Sequence, residues 1–166
     1  MLSVVIPTLN DEALLGRALH PLVAAAVSGF VREVIVADAG STDATLEVAD
    51  DAGCRILKFD GEGEGRIASA AAQARSDWVM VLRPGAQLMT GWEGAVRDHM
   101  ERRPGTPAYA PMIDPAATGL GARLKAVISS GPRLVVVAPR QDVADGRPLT
   151  SARRLTACAV RIEAAR

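Results

Sequence analysis

The sequence predicts an α/β protein with a doubly wound, mostly parallel sheet. Two observations support this prediction: the strand-like segments of the first hundred residues are apolar throughout, and segments of helical character separate them. Strands that are apolar on both faces are typical of parallel sheets, because helices cover such a sheet on both sides. An antiparallel sheet with one solvated face would instead show alternating apolar and polar residues.

Four strands and their connecting helices account for the first part of the chain. The first helix is predicted to start near Asn10 and to run to about Val27, with Pro21 kinking or dividing it. The predicted strands, each a short run dominated by aliphatic residues, are 2–7, 33–37, 55–59 and 78–82. The other predicted helices of this part are 44–52, 66–74 and 92–102.

The pattern is less regular after residue 103. The elements predicted there are short strands over 108–112 and 134–138, a helix over 120–128, and an Arg-rich helix or edge strand over 151–163. No repeat or long linker divides the chain. We therefore expect one domain over 1–166, with 1–103 as its first half and 104–166 as its second.

Composition excludes several classes of protein. Hydrophobic residues make up 49% of the 166 residues, which is typical of a globular chain rather than a disordered one. Aromatic residues make up only 3%, which argues against binding of single-stranded nucleic acid by base stacking. No apolar run approaches the roughly 18 residues of a membrane span, and the N-terminus lacks the basic region of a signal peptide. We therefore expect a cytoplasmic location.

Polar loops follow the predicted strands at one edge of the sheet. In an open parallel sheet, ligands bind at the carboxyl ends of the strands. The loops at those ends are 8–12, 38–43, 60–66 and 83–86. Helix capping or turn formation would explain each polar residue taken singly, but their shared edge predicts one pocket. The glycine-rich loop after the third strand does not match a dinucleotide-binding fingerprint.

Two of these segments carry a resemblance to a known family. The stretches SVVIPTLNDEALLGRAL and EVIVADAGSTDATLEVADDAG resemble the nucleotide-sugar-binding half of the family-2 glycosyltransferases, which have the GT-A fold. The family pattern is a strand followed by P-x-x-N-E, then a strand followed by D-x-G-S-x-D. GRIASAAAQARSDWVMVL continues the resemblance, which covers about residues 2–100. The chain is most similar to the small radical-SAM/selenodomain-associated transferases, and its acceptor half is shorter than the family's.

The resemblance implies a site for a UDP-type nucleotide-sugar donor. Pro7, Thr8 and Asn10 would line the nucleobase and ribose pocket. Glu12, or Asp11 beside it, would accept hydrogen bonds from ribose hydroxyls.

Two further roles are implied for the later loops. Asp38 would accept a hydrogen bond from the base, typically uracil, and Arg66 would place a cation near the diphosphate. The acceptor of the sugar is unknown, no nucleic-acid partner is expected, and a homo-oligomer is compatible with the shortened second half.

The sequence departs from the family at the end of the fourth strand. Arg83, Pro84 and Gly85 stand where the family has an Asp-x-Asp type motif, and Gly85 occupies the place of the carboxylate that holds a divalent metal. We therefore expect no metal and no other cofactor. Three alternatives remain for Arg83: it neutralises the diphosphate leaving group, it is a surface residue at a strand end, or it binds another anion.

The catalytic base is the second missing feature. An inverting transfer needs a carboxylate within reach of the acceptor hydroxyl, and Asp142 and Asp145 are the only candidates near the corresponding segment. A turn-forming role competes with catalysis for Asp145. The sequence thus leaves open a glycosyltransferase, a non-catalytic relative that serves as a binding or partner module, and a nucleotidyltransferase-like anion-binding domain.

Overall fold

The computed structural model describes residues 1–61, 63, 65–110, 112–113, 135–147, 152–155 and 160–162. Within this part the strands are β1 Leu2–Thr8, β2 Val31–Asp38, β3 Arg55–Lys58, β4 Trp78–Leu82, β5 Ala86–Leu88, β6 Ala108–Tyr109, β7 Met112–Ile113, β8 Val135–Pro139, β9 Arg153–Arg154 and β10 Val160–Ile162. The helices are α1 Glu12–Leu19, α2 Leu22–Val27, α3 Thr45–Asp51, α4 Gly65–Ala72, α5 Trp92–Arg102 and α6 Arg140–Ala144.

A seven-stranded sheet forms the centre of the molecule, in the order β3-β2-β1-β4-β8-β6-β9. The pairs β3–β2, β2–β1 and β1–β4 are parallel, whereas β8 is antiparallel to both β4 and β6. A small second sheet has the order β5-β10-β7. The predicted α/β class with a mostly parallel sheet is confirmed.

The core covers both faces of the central sheet, as the apolar strands predict. Along β1, Leu2, Val4 and Ile6 pack into one buried cluster and Val5 packs into a second. Buried residues of α1, α2 and α5 belong to the first cluster, and those of α4 and α6 belong to the second. This alternation across a strand leaves no face of β1 for solvent.

Several predicted elements differ in detail from the observed ones. The predicted helix over 10–27 is divided into α1 and α2, and Pro21 lies at the start of α2, where its missing amide hydrogen costs nothing. The segment 108–112 divides into β6 and β7, which belong to different sheets. The predicted helix over 120–128 lies outside the described residues, as does part of 151–163, from which β9 and β10 are described.

The antiparallel pairing of β4 and β8 determines at which edge of the sheet the segment after β8 lies. In this pair Trp78 lies opposite Pro139, and Leu82 lies opposite Val135. The carboxyl end of β8 therefore lies at the amino end of β4, opposite the edge where β1, β2 and β4 all end. Within the described residues, no helix combines the length and apolar character needed to cross a bilayer.

A buried carboxylate ties strands together near the amino ends. Glu33 of β2 accepts hydrogen bonds from the Ser3 hydroxyl, at 2.9 Å, and from the backbone N–H of Arg75, at 2.6 Å. The guanidinium groups of Arg55 and Arg75 lie 3.7 and 3.8 Å from its second oxygen. These contacts join β1, β2, β3 and the segment before β4, so Glu33 has a structural role at this edge.

Candidate functional site

The loops after β1 and β2 are joined by side-chain hydrogen bonds, and we call this arrangement the loop clasp (residues 9–12 and 38–45). The backbone N–H of Asn10 donates to the Ser41 hydroxyl at 2.9 Å, and the N–H of Thr42 donates to Asn10 Oδ1 at 2.8 Å. Asn10 has a φ of 54°, in the left-handed region that asparagine tolerates better than most residues. The Asn10 side chain therefore binds the neighbouring loop.

A second pair of contacts extends the clasp into α1 and α3. The N–H of Asp11 donates to the Thr45 hydroxyl at 2.9 Å, and the N–H of Glu12 donates to Asp43 Oδ2 at 3.2 Å. Asp43 Oδ1 also accepts from the N–H and the hydroxyl of Thr45. These hydrogen bonds, led by the one from the Thr45 hydroxyl, hold the pKa of Asp43 below its ordinary value.

Asp38 ends β2 at the base of the clasp and is fully buried. Its Oδ1 accepts from the hydroxyls of Thr8 and Ser41, and its Oδ2 accepts from the N–H groups of Gly40 and Ser41. Burial raises the pKa of Asp38, but these hydrogen bonds outweigh it and hold the pKa below its ordinary value. The carboxylate is therefore ionised and internally satisfied.

Asp11 is a carboxylate of the clasp that keeps acceptor capacity within the described residues. It is half-buried, and its Oδ2 accepts one hydrogen bond from the N–H of Leu9 at 2.9 Å. The pKa of Asp11 is raised above its ordinary value, and burial is the largest cause. The charges of Asp43 and Asp38 also raise the pKa, whereas the hydrogen bond from the Leu9 N–H and the charge of Arg66 lower it. Glu12, the first-ranked sequence candidate, is exposed. Asp11 is less exposed than Glu12 and interacts electrostatically with Arg66, so of the two it is the carboxylate better placed to contact a ligand.

Arg66, in the first turn of α4, is the cation that acts on Asp11. Its Nε and Nη1 atoms are buried and have no hydrogen-bond partner among the described residues. Buried donors are almost always paired, and each unpaired one costs on the order of 1–3 kcal/mol. Two such donors on one partly buried guanidinium have the chemistry needed to bind an anion.

Pro7 and Thr8 lie at the end of β1 and are both buried. In the parallel pairing with β2, Pro7 lies opposite Ala37 and Thr8 lies opposite Asp38. The Thr8 hydroxyl donates to Asp38 at 3.0 Å. These two residues therefore form the floor beneath the clasp, where the hydroxyl of Thr8 donates its proton to Asp38.

Arg83, Pro84 and Gly85 form the turn that joins β4 to β5. The N–H of Ala86 donates to the carbonyl of Arg83 at 3.1 Å, and Gly85 has a φ of 82°. An aspartate at position 85 would be strained, because L side chains rarely adopt this φ. The positive φ by itself therefore explains why glycine occupies position 85. Since β1 and β4 are parallel, Arg83 lies at the same sheet edge as the clasp.

Asp142 and Asp145 lie elsewhere. Asp142 is in α6, which begins directly after β8 at the opposite edge of the sheet, and Asp145 follows that helix. Arg147 forms ion pairs with both, at 2.9 Å to Asp142 and 3.2 Å to Asp145. This placement gives the two carboxylates a role at a helix end and does not support their assignment as the catalytic base.

Substitution of Asn10 tests the clasp. Asn10→Ala is expected to lower the free energy of unfolding by about 2 kcal/mol, because it removes the acceptor for the Thr42 N–H and leaves alanine at positive φ. Asn10→Gly loses the same acceptor without the strain and should be about 1 kcal/mol more stable than the alanine variant. Urea denaturation of both variants measures the difference. Equal stabilities would contradict a left-handed residue at this position.

Comparison with known proteins identifies the family. The sequence profile described as Glycosyl transferase family 2 matches residues 3–106, more than half of the chain. Among curated proteins, a TPR repeat-containing protein from Synechococcus elongatus is 37% identical over 82 residues. That match covers 48% of this chain and 19% of the relative, so the chain spans about a fifth of that protein.

Solved structures share the fold. Glucosyl-3-phosphoglycerate synthase from Mycobacterium tuberculosis, solved with Mn²⁺, UDP and phosphoglyceric acid, has a TM-score of 0.66 at 19% identity. That alignment covers 100% of this chain and 70% of the synthase. S. aureus TarS has a TM-score of 0.66 at 18% identity, over 91% of this chain and 51% of TarS.

The expectation that no divalent metal takes part is wrong. The similar synthase has been solved with Mn²⁺ and UDP, and also with Mn²⁺ and UDP-glucose. The expectation rested on Gly85 alone, whereas divalent ions in such sites take many of their ligands from phosphate oxygens and water. One missing carboxylate was therefore not enough to exclude the metal.

The family match and the fold agree. The profile spans β1 to α5, which includes the clasp, Arg66 and the turn after β4. The structural matches extend the GT-A likeness over the whole chain. The chain belongs to glycosyl transferase family 2.

Proposed function

We propose that this chain binds a UDP-type nucleotide-sugar donor at the edge where β1, β2 and β4 end, and transfers the sugar to an acceptor. The observation that carries the proposal is that two buried donors of Arg66 have no hydrogen-bond partner among the described residues, while Arg66 acts electrostatically on Asp11 of the loop clasp. The family membership and the UDP-containing structural relatives support a nucleoside diphosphate as the anion.

The chemistry of Arg66 suits a diphosphate. A guanidinium stays charged at all physiological pH values and presents parallel N–H donors that match phosphate oxygens. Arg66 stands in the first turn of α4, close enough to Asp11 to influence its charge. A diphosphate there would satisfy both orphaned nitrogens and leave Asp11 beside the neighbouring ribose.

The other donor contacts follow from the same placement. Asp11 is proposed to accept from ribose hydroxyls, with Glu12 at the exposed rim of the same loop. Pro7 and Asn10 are proposed to shape the floor and wall of the nucleoside pocket. Arg83 is proposed as a second cation near the diphosphate, because the end of β4 lies beside the end of β1.

The described residues do not by themselves form a metal site. No group of three or more His, Cys, Asp or Glu side chains that could hold a metal ion occurs among them. Divalent ions of this type are often bound through one or two carboxylates plus the phosphates of a substrate. We propose that the cation enters together with the donor and takes most of its ligands from the diphosphate.

A second candidate is donor binding without transfer, and the placement of Asp142 and Asp145 favours it. Both candidate bases lie at the edge of the sheet opposite the proposed donor site, where they are poorly placed to act on a transferred sugar. Incubation with UDP-sugars and Mn²⁺ separates the two candidates. Release of UDP, by hydrolysis or transfer, would rule out a purely binding role.

Arg66→Gln is expected to weaken UDP binding by about tenfold or more, because charge-assisted hydrogen bonds to the diphosphate are lost. Uridine, which lacks phosphate, should bind the variant and the wild type alike. Isothermal titration calorimetry measures both ligands. Arg103→Gln, at an exposed arginine after α5, is the matched control. Unchanged UDP affinity in the Arg66 variant would contradict the proposed site.

Mn²⁺ is expected to bind weakly to the free protein and more tightly once UDP is present, because the diphosphate supplies most of the ligands. Electron paramagnetic resonance of unbound Mn²⁺, with and without UDP, measures the difference. Tight Mn²⁺ binding that does not change on addition of UDP would show that the protein carries its own metal site.

A further inference from the structure

We infer that Asp38 is a positioning residue of the donor site and does not accept a hydrogen bond from the nucleobase. The inference rests on the proposed donor function and changes the role that the family resemblance implies for this residue. Its basis is the set of contacts made by one fully buried carboxylate.

The acceptor capacity of Asp38 is already used. An ionised carboxylate offers about four lone-pair positions. The hydroxyls of Thr8 and Ser41 donate to the lone pairs of Oδ1. The N–H groups of Gly40 and Ser41 donate to the lone pairs of Oδ2, both at 2.9 Å. An imide N–H of uracil would have to displace one of these donors.

Displacement would also require the loop to open. Asp38 has 0% of its surface exposed, and the next residue along the chain, Ala39, is anchored by its N–H to the carbonyl of Thr8 at 2.9 Å. A base that took one acceptor position would leave a loop N–H or hydroxyl without a partner. The gain of one hydrogen bond would be offset by the loss of another.

Asp38 instead directs the clasp through Ser41. The Ser41 hydroxyl donates its only proton to Asp38, which leaves its lone pairs for the N–H of Asn10. Asn10 in turn accepts from the N–H of Thr42. The carboxylate thereby fixes the direction of a hydrogen-bond chain that holds the loop carrying Asp11 next to Arg66.

The first arm of the test compares two ligands in the presence of Mn²⁺: UDP, and UDP methylated at the imide nitrogen of uracil. Asp38→Ala removes the acceptor of all four hydrogen bonds, so a positioning role predicts that both ligands bind about tenfold more weakly, with their affinity ratio unchanged. Ser41→Ala should lower both affinities in the same way, and it keeps the comparison available should the Asp38 variant not fold.

Asp51→Ala, at an exposed aspartate of α3, removes the same charge and should leave both affinities unchanged. Affinities are measured at a temperature where circular dichroism shows each variant to be folded. A loss confined to unmethylated UDP would show that Asp38 contacts the base, and no loss for either ligand would remove the positioning role.

The second arm needs no ligand and separates failure of this inference from failure of the proposed function. Hydrogen exchange of the Gly40 and Ser41 amides is expected to quicken by about tenfold or more in Asp38→Ala, because that variant lacks the carboxylate oxygen to which both amides donate. Unchanged exchange would overturn the inference. If wild-type protein bound no nucleotide, the donor proposal would fall, and this exchange measurement would still decide the role of Asp38.

Discussion

The parallel pairing of β1 with β2 on one side and with β4 on the other is the constraint on which the site depends. Because all three strands run in the same direction, the segments that follow them emerge at one edge of the sheet. Each strand packs into buried clusters on both faces, so a one-residue slip would exchange the side chains that fit the two layers of helices. The positions of the clasp and of Arg83 follow from this register.

The polar residues at that edge divide into two groups with different chemistry. Asp38, Asn10 and Asp43 accept hydrogen bonds from backbone N–H groups and hydroxyls within and between the two loops of the clasp. Asp11 and Arg66 interact electrostatically, and both retain hydrogen-bonding capacity that no described residue fills. A rigid frame of satisfied groups around a few unsatisfied ones is the arrangement expected of a preorganised binding site, since the frame need not rearrange when the ligand arrives.

The turn after β4 shows why one residue is a weak guide to a cofactor. Gly85 lacks a carboxylate, but its positive φ explains the glycine through backbone geometry. The relatives with Mn²⁺ and UDP show that the fold accommodates a metal when a diphosphate is present. A ligand set shared between protein and substrate cannot be read from the protein's residues alone.

The sequence by itself determined the fold class, the first four strands and the shared edge of their loops, because apolar runs and helix-forming segments follow local rules of burial and propensity. Tertiary structure alone decided which polar side chains keep hydrogen-bonding capacity for a ligand. The acceptor positions of Asp38 are filled by neighbouring hydroxyl and N–H groups, whereas Asp11 accepts one hydrogen bond among the described residues. That difference depends on hydrogen bonds between residues about 30 positions apart in the chain, such as the one from Thr8 to Asp38. The tertiary structure also decided where Asp142 and Asp145 lie, because the antiparallel direction of β8 places them at the edge of the sheet opposite the loop clasp.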